Sequence, residues 1–165
     1  MSNEDWLIRL SGFIAFVAFV GAIAKRQNTS LSGFLNFSNL WMLGFTAFII
    51  HFISAFHFKY EWSHAKALEL TTIQTFKTVG VSTSLGLYFN YLFTLVWLID
   101  LSWAQLAKRS HKDRPVWINH AIHCFMAFMW FNATVIFGSV LGKLLGATAF
   151  FILGILWIYR KKQIN

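Results

Sequence analysis

The sequence is poor in charged residues, and this shortage excludes a soluble globular domain. Only 12% of its 165 residues are Asp, Glu, Lys or Arg, whereas 57% are hydrophobic and 19% are aromatic. Soluble domains carry about 25% charged residues, because a water-facing surface needs them. The chain lacks the side chains for such a surface, so we expect lipid to surround most of it.

Cysteine, proline and acidic residues are also scarce. The one cysteine, Cys124, can form no disulfide within the chain. The one proline, Pro115, suits the first turn of a helix. Six acidic against 14 basic residues give a net charge of +8. The basic residues form short clusters between apolar runs, which is typical of membrane proteins, so we expect no nucleic-acid partner.

Five apolar runs remain when the chain is divided at its charges. They cover about residues 6–24, 36–58, 79–106, 115–138 and 140–159. A bilayer core about 30 Å thick needs about 20 helical residues to cross it. The sequence therefore predicts an all-α fold: a single membrane domain over residues 1–165, built as a bundle of five transmembrane helices. The first run follows acidic residues and has no small-residue cleavage site, so we expect it to be retained.

The basic clusters predict the orientation of the bundle. They follow the first, third and fifth runs: Lys25 and Arg26, then Lys108, Arg109, Lys112 and Arg114, then Arg160, Lys161 and Lys162. Because positive loops stay in the cytoplasm, we expect the N-terminus outside and the C-terminus inside, in a bacterial cytoplasmic membrane. Tryptophans should mark the two interfaces, with Trp6 and Trp62 outside and Trp41, Trp103, Trp117 and Trp157 inside.

Small residues predict where helices approach each other closely. The first run carries a stripe of small side chains at helical spacing: Ser11, Ala15, Ala18 and Ala22. Such stripes let helix backbones pack together in lipid. Gly138, Gly142 and Gly146 form two overlapping G-x-x-x-G patterns, for which two interpretations stay open. They provide a face for dimerisation, or they make the turn between the fourth and fifth runs.

Ionisable side chains inside apolar runs are costly to insert, so each one is a functional hypothesis. Asp100 lies in the third run, and His120 and His123 lie at a similar depth in the fourth. We expect Asp100 to accept a hydrogen bond from one of these histidines, in a reactive site or in a polar clamp without chemistry. His120, His123 and Cys124 also share a helix face and could bind a transition metal.

Two further histidine groups suggest cofactors. His51 lies near the middle of the second run, and it could bind a b-type haem together with His123, although their expected depths differ by about 10 Å. His57, Glu61 and His64 follow each other at helical spacing, provided that the second helix continues past the membrane. Two histidines and one carboxylate could then hold a divalent metal such as zinc at the outer face. An interfacial surface without metal is the alternative.

Several motifs resemble those of an uncharacterised group of small bacterial multi-span membrane proteins. They are residues 60–65 (YEWSHA) with Thr72 and Thr75, residues 88–93 (YFNYLF) with Trp97 and Asp100, and residues 131–135 (FNATV). The resemblance covers residues 60–140 and carries no activity. It implies that residues 62–64, Asn90, Asp100 and Asn132 act together, as a candidate polar site.

Three functions are compatible with these features. The first is a non-catalytic membrane subunit or scaffold with an internal polar site, which associates with protein partners or with a second copy. The second is a redox subunit that holds haem or a quinone through His51 and His123. The third is a metal-dependent membrane enzyme that uses His57, Glu61 and His64.

Overall fold

The computed structural model describes residues 3–27 and 36–164, and every regular element in these residues is helical. The all-α prediction is confirmed. Seven α-helices follow in order: α1 (Asn3–Gln27), α2 (Phe37–Phe58), α3 (His64–Val79), α4 (Leu85–Leu106), α5 (Lys108–Lys112), α6 (Val116–Phe131) and α7 (Val140–Ile164). A π-helical segment, Asn132–Ile136, continues α6.

Within the described ranges, four helices are each long and apolar enough to cross a membrane, not the predicted five. These four segments are Glu4–Lys25, Phe37–Phe58, Leu85–Leu106 and Val140–Tyr159. The predicted fourth span, 115–138, is the exception. Its α-helix has only 16 residues, because the backbone changes to π-helical hydrogen bonding at Asn132 and bends at Gly138.

The predicted third span, 79–106, begins too early. The polar segment before it forms a helix of its own, α3, which starts at an N-cap where the Ser63 side chain accepts the Lys66 amide. α3 stops at Gly80, whose φ of 76° lies in the left-handed region that glycine adopts without steric cost. α4 then begins at Leu85. Hydropathy alone does not separate these two helices.

The first two long helices run antiparallel, as contacts at two levels show. Asp5, near the start of α1, pairs with Lys59, just past the end of α2, at 2.7 Å. Phe19, in the second half of α1, packs on Trp41, in the first half of α2, with 6.1 Å between ring centroids. The start of α1 therefore lies beside the end of α2.

Contacts between aromatic rings show how the remaining long helices pack against each other. Between ring centroids, α2 meets α4 at Phe48 and Phe93 (4.8 Å), and α4 meets α6 at Phe93 and Trp130 (5.8 Å). α6 meets α7 at Phe131 and Phe150 (5.6 Å). Each of these contacts joins consecutive long helices at a shared level, so neighbours in sequence are neighbours in space.

The bundle has two ends with different connections. At one end, which we call the amino end, lie the start of α1, helix α3 with its flanking loops, and the α6–α7 connection. At the other, the basic end, lie the α4–α6 connection with α5 and the last turns of α7.

Aromatic rings fill the centre of the bundle, and small residues bring α1 close to α2. Trp41 and Trp97 are fully buried and contact each other. The small stripe of α1 is buried as predicted, at Ser11, Ala15, Ala18 and Ala22. Gly44 of α2 completes this packing, since a Cβ there would lie 2.9 Å from the Trp97 ring and 3.4 Å from Ala18. The prediction that Trp41 marks an interface is wrong.

The three glycines at the α6–α7 junction serve contacts inside the chain. Gly138 lies in the bend, where a Cβ would come within 2.9 Å of the carbonyl carbon of Thr134. Gly146 of α7 packs on the Thr134 side chain, and a Cβ there would lie 2.7 Å from that of Thr134. Of the two interpretations, the structure supports the turn and an intramolecular helix contact.

Candidate functional site

Asp100 is the centre of a buried ionic cluster at the basic end. It lies in the last third of α4 and is 1% exposed. Its Oδ1 accepts a hydrogen bond from Arg114 Nη1, and His111 Nε2 lies 3.2 Å from the same oxygen. α5 makes this possible, since its five residues fold the segment after α4 back towards that helix. A carboxylate and a guanidinium are thus paired out of water.

The guanidinium of Arg114 is held from several sides. Its Nε donates to Asn119 Oδ1 at 2.8 Å, and its Nη2 donates to the same oxygen. It also lies over the Trp103 ring, 5.6 Å from the centroid. The Trp103 ring meets His111 edge to face at 5.8 Å. These five residues, which we call the Asp100 cluster, tie the end of α4 to the start of α6.

The histidines predicted to contact Asp100 lie elsewhere. His120 is exposed on the outer surface of α6, as is Cys124. The ring of His123 points into the bundle and meets Trp41 at 5.6 Å and Phe37 at 6.2 Å, edge to face. The structure therefore pairs Asp100 with Arg114 and His111 instead, and it does not assemble His120, His123 and Cys124 into one site.

Asn90 and Asn132 do not join Asp100. Asn90 is exposed near the start of α4, about 15 Å from Asp100 by the rise of the helix. Asn132 opens the π-helical segment, and its Nδ2 donates to the carbonyl oxygen of Phe128 at 2.8 Å. Both asparagines lie towards the amino end. The candidate polar site is therefore divided between the two ends of the bundle.

His51 and His123 also lie at different levels. His51 Nδ1 donates to the carbonyl oxygen of Ile8 in α1 at 2.7 Å, and a Cβ on Gly12 would be 3.0 Å from that nitrogen. His123 instead contacts Trp41, which is about 15 Å from His51 along α2. An iron held from both sides needs the two imidazoles to face each other across it. The structure does not place them so.

The row His57, Glu61 and His64 is broken by a turn. α2 ends at Phe58, and the φ angles of Glu61 (51°) and Trp62 (58°) are left-handed, so the condition that the helix continues is wrong. Each residue has a different partner: Trp62 Nε1 donates to His57 Nδ1 (3.1 Å), Glu61 pairs with Lys66 (2.6 Å) and His64 Nδ1 bonds the Tyr91 hydroxyl (3.0 Å).

The described residues contain no group of three or more His, Cys, Asp or Glu side chains placed to hold a metal ion. Near the broken row, the amino end is rich in tyrosine. Burial raises the pKa of Tyr60, and a hydrogen bond with the Thr71 side chain partly opposes that shift. Tyr88 and Tyr91 pack edge to face at 6.2 Å. This end presents an aromatic, hydrogen-bonded surface.

Sequence reasoning missed His111 and Arg114 as partners of Asp100. A signal for one of them was present, because a carboxylate in an apolar run needs a cation and Arg114 directly precedes the next apolar run.

Comparison of the chain with protein-family models, with curated proteins and with solved structures finds no match in any of the three. The function must therefore be inferred from the chain itself.

Proposed function

We propose that the protein is a non-catalytic membrane subunit or scaffold whose internal polar residues hold its helices together. One observation carries this proposal. Asp100, the buried carboxylate of the described residues, is already bound by Arg114 and His111 of its own chain. Its charge joins α4 to α6 at the basic end, and the loss of either partner would leave an uncompensated buried charge.

The lengths of the helices support a five-pass topology. At about 1.5 Å per residue the 16 residues of α6 span about 24 Å, and the 5 residues of its π-helical continuation bring the total to roughly 30 Å. That length matches a bilayer core of about 30 Å. We therefore propose that α6 crosses the membrane with the help of this segment, as the fifth crossing beside the four apolar helices.

The charges support an orientation with the basic end in the cytoplasm. The α4–α6 connection contributes four Lys or Arg residues there, while at the amino end two of the lysines are paired with acids. These pairs are Lys59 with Asp5 and Lys66 with Glu61. Exposed tryptophans lie near both ends: Trp6 and Trp62 near one, Trp117 and Trp157 near the other. This placement is typical of membrane interfaces, and a bacterial cytoplasmic membrane fits it.

Site-directed labelling tests the topology. In a Cys124→Ser background, single cysteines replace Ser82 at the amino end and Lys112 at the basic end, both exposed. An impermeant maleimide should label Ser82→Cys in intact cells and should label Lys112→Cys only after permeabilisation. Labelling of Lys112→Cys in intact cells would refute the orientation. A third cysteine at the exposed Ser139, between α6 and α7, should be labelled in intact cells like Ser82→Cys, and its protection would refute the fifth crossing.

Purification tests the subunit interpretation against the two cofactor hypotheses. The full chain, extracted in mild detergent, should migrate as a complex of defined stoichiometry with a partner or a second copy. A Soret band that disappears in His51→Ala would make the protein a cytochrome. Stoichiometric zinc or iron that disappears in His64→Ala, with His120→Ala as the matched exposed histidine, would make it a metal enzyme. Either result would contradict the proposal.

A further inference from the structure

The connection between α4 and α6 forms an open groove on the surface of the basic end. The groove encloses about 590 Å³ and is lined by residues 106–110 and by Asp113. It lies directly outside the Asp100 cluster, which fixes the segment on both sides. Arg114, which follows Asp113, is buried and bound to Asp100 and Asn119. The segment that carries the groove is therefore held to α4 through His111 and Arg114 as well as by the chain itself.

The groove carries more positive than negative charge. Lys108, Arg109 and Lys112 are exposed around it. Arg114 does not add to this positive charge, because its guanidinium is paired with the Asp100 carboxylate. Asp113 is the one acidic residue between Leu106 and Val116, and its Oδ2 lies 3.9 Å from Arg109 Nε. Three exposed cations against one exposed carboxylate favour an anionic ligand, and the Ser110 hydroxyl adds a neutral donor.

Exposed apolar side chains lie in the groove and where the chain enters α6. Leu106 ends α4 and is 88% exposed, while Val116 and Trp117 begin α6 and are 67% and 69% exposed. Cations alone would suit any anion in solution. Cations that share a groove with an exposed leucine, on a connection that leads into an exposed valine and tryptophan, suit a ligand that has both an anionic head and an apolar tail.

We infer that this groove binds the phosphate of an anionic phospholipid in the leaflet at the basic end. Lys108, Arg109 and Lys112 contact the headgroup, and the acyl chains follow the apolar ends of α4 and α6. Basic pockets between membrane helices on the cytoplasmic side recognise anionic headgroups in this way. The inference rests on the proposed membrane insertion, and it adds a lipid class and a site.

The test measures the affinity of the full chain in neutral detergent for fluorescent phosphatidylglycerol and, separately, for phosphatidylcholine. The groove variant combines Lys108→Gln, Arg109→Gln and Lys112→Gln. The control removes the same number of exposed charges at the amino end, through Arg9→Gln, Lys77→Gln and Lys143→Gln. Since each surface Lys or Arg contributes about fivefold, we expect the groove variant to bind phosphatidylglycerol at least about tenfold more weakly, and the control to bind it almost unchanged.

Asp113→Asn provides a change in the opposite direction. It removes the carboxylate beside Arg109 and should tighten phosphatidylglycerol binding by a few fold, with little change for phosphatidylcholine. Equal losses in the groove variant and the amino-end control would mean that the lipid senses net charge alone, and the inference would be wrong. Displacement of the lipid by glycerol phosphate at similar concentrations would also overturn it, in favour of a site for free phosphate esters.

The cysteine labelling described above separates failure of this inference from failure of the proposed function. If the labels place the basic end in the cytoplasm and the two triple variants bind lipid alike, the proposed membrane subunit is supported and the proposed lipid site is refuted. If Lys112→Cys is labelled from outside, the proposed orientation is refuted. The leaflet assigned to this lipid is then refuted as well.

Discussion

The ion pair between Asp100 and Arg114 provides the sharpest stability prediction. Both side chains are 1% exposed, and Arg114 Nη1 donates to Asp100 Oδ1. Asp100→Ala would leave the guanidinium buried with Asn119 and the Trp103 ring but with no negative charge. Removal of one partner from a buried pair costs about 3–5 kcal/mol, because the remaining charge stays out of water. We therefore expect Asp100→Ala to lower the free energy of unfolding by about that amount.

A double-mutant cycle separates this charge effect from a loss of packing. The assay is reversible unfolding of the purified chain by SDS in mixed micelles, followed by tryptophan fluorescence. Arg114→Met should be destabilising on its own, and Asp100→Asn with Arg114→Met should cost clearly less than the sum of the two single changes. Asp113→Asn is the matched control, since that carboxylate is exposed and should have no measurable effect.

Either of two results would refute the energetic role of this pair. In the first, Asp100→Ala is no more destabilising than Asp113→Asn. In the second, the effects of Asp100→Asn and Arg114→Met simply add, which would mean that the two groups stabilise the bundle independently. The short contact between them would then contribute nothing to stability, and the proposed clamp would lose its basis.

Three further changes probe the packing, all in the same unfolding assay. Gly44→Ala should destabilise the bundle by about 1–3 kcal/mol, because its Cβ would lie 2.9 Å from the Trp97 ring, whereas Gly21→Ala, 3.4 Å from a flexible Leu40, should be tolerated. Gly146→Ala should loosen α7 from Thr134, with Gly154→Ala, which has open space around it, as the control; equal effects would contradict the α6–α7 contact. His51→Phe removes the hydrogen bond to the Ile8 carbonyl and should cost about 1 kcal/mol, while His120→Phe, at an exposed position, should not.

The positions of the long helices follow closely from hydropathy. The predicted run 36–58 corresponds to α2 at Phe37–Phe58, and the predicted run 140–159 lies within α7. Lipid imposes this agreement, because backbone polar groups in an apolar medium must be satisfied within their own helix. Hydropathy contains no information on the type of hydrogen bond, however. It therefore does not show that the α-helix of the fourth run ends at Phe131.

The candidate site is predictable from sequence only in part. Asp100 stands out as a costly group that needs a partner, and the structure gives it two. Helical spacing is the geometry that a sequence reveals, and it points to His120 and His123 on the facing helix. The actual partners depend on α5, a helix of five residues in a basic stretch whose composition is typical of a solvated loop.

The expectation that His57, Glu61 and His64 follow each other on one continuous helix is wrong for a different reason. Helix ends are usually marked by glycine or proline, and neither lies between Phe58 and His64. The chain turns instead through left-handed backbone at Glu61 and Trp62, a conformation that costs about 1–2 kcal/mol per residue for side chains other than glycine. Contacts that a sequence does not show, such as the pair between Glu61 and Lys66, accompany this turn.

The two ends of the bundle differ in how their charges are used, and this difference links the fold to the proposals. At the amino end, Lys59 and Lys66 are each within 2.7 Å of a carboxylate, so much of the positive charge there is cancelled locally. At the basic end, Arg114 is cancelled inside the bundle, while Lys108, Arg109 and Lys112 stay exposed around it. Because the buried pair fixes the connection that carries these cations, the same segment joins α4 to α6 and presents a positive surface at the basic end. One cluster can thus serve both the stability of the bundle and its orientation in the membrane.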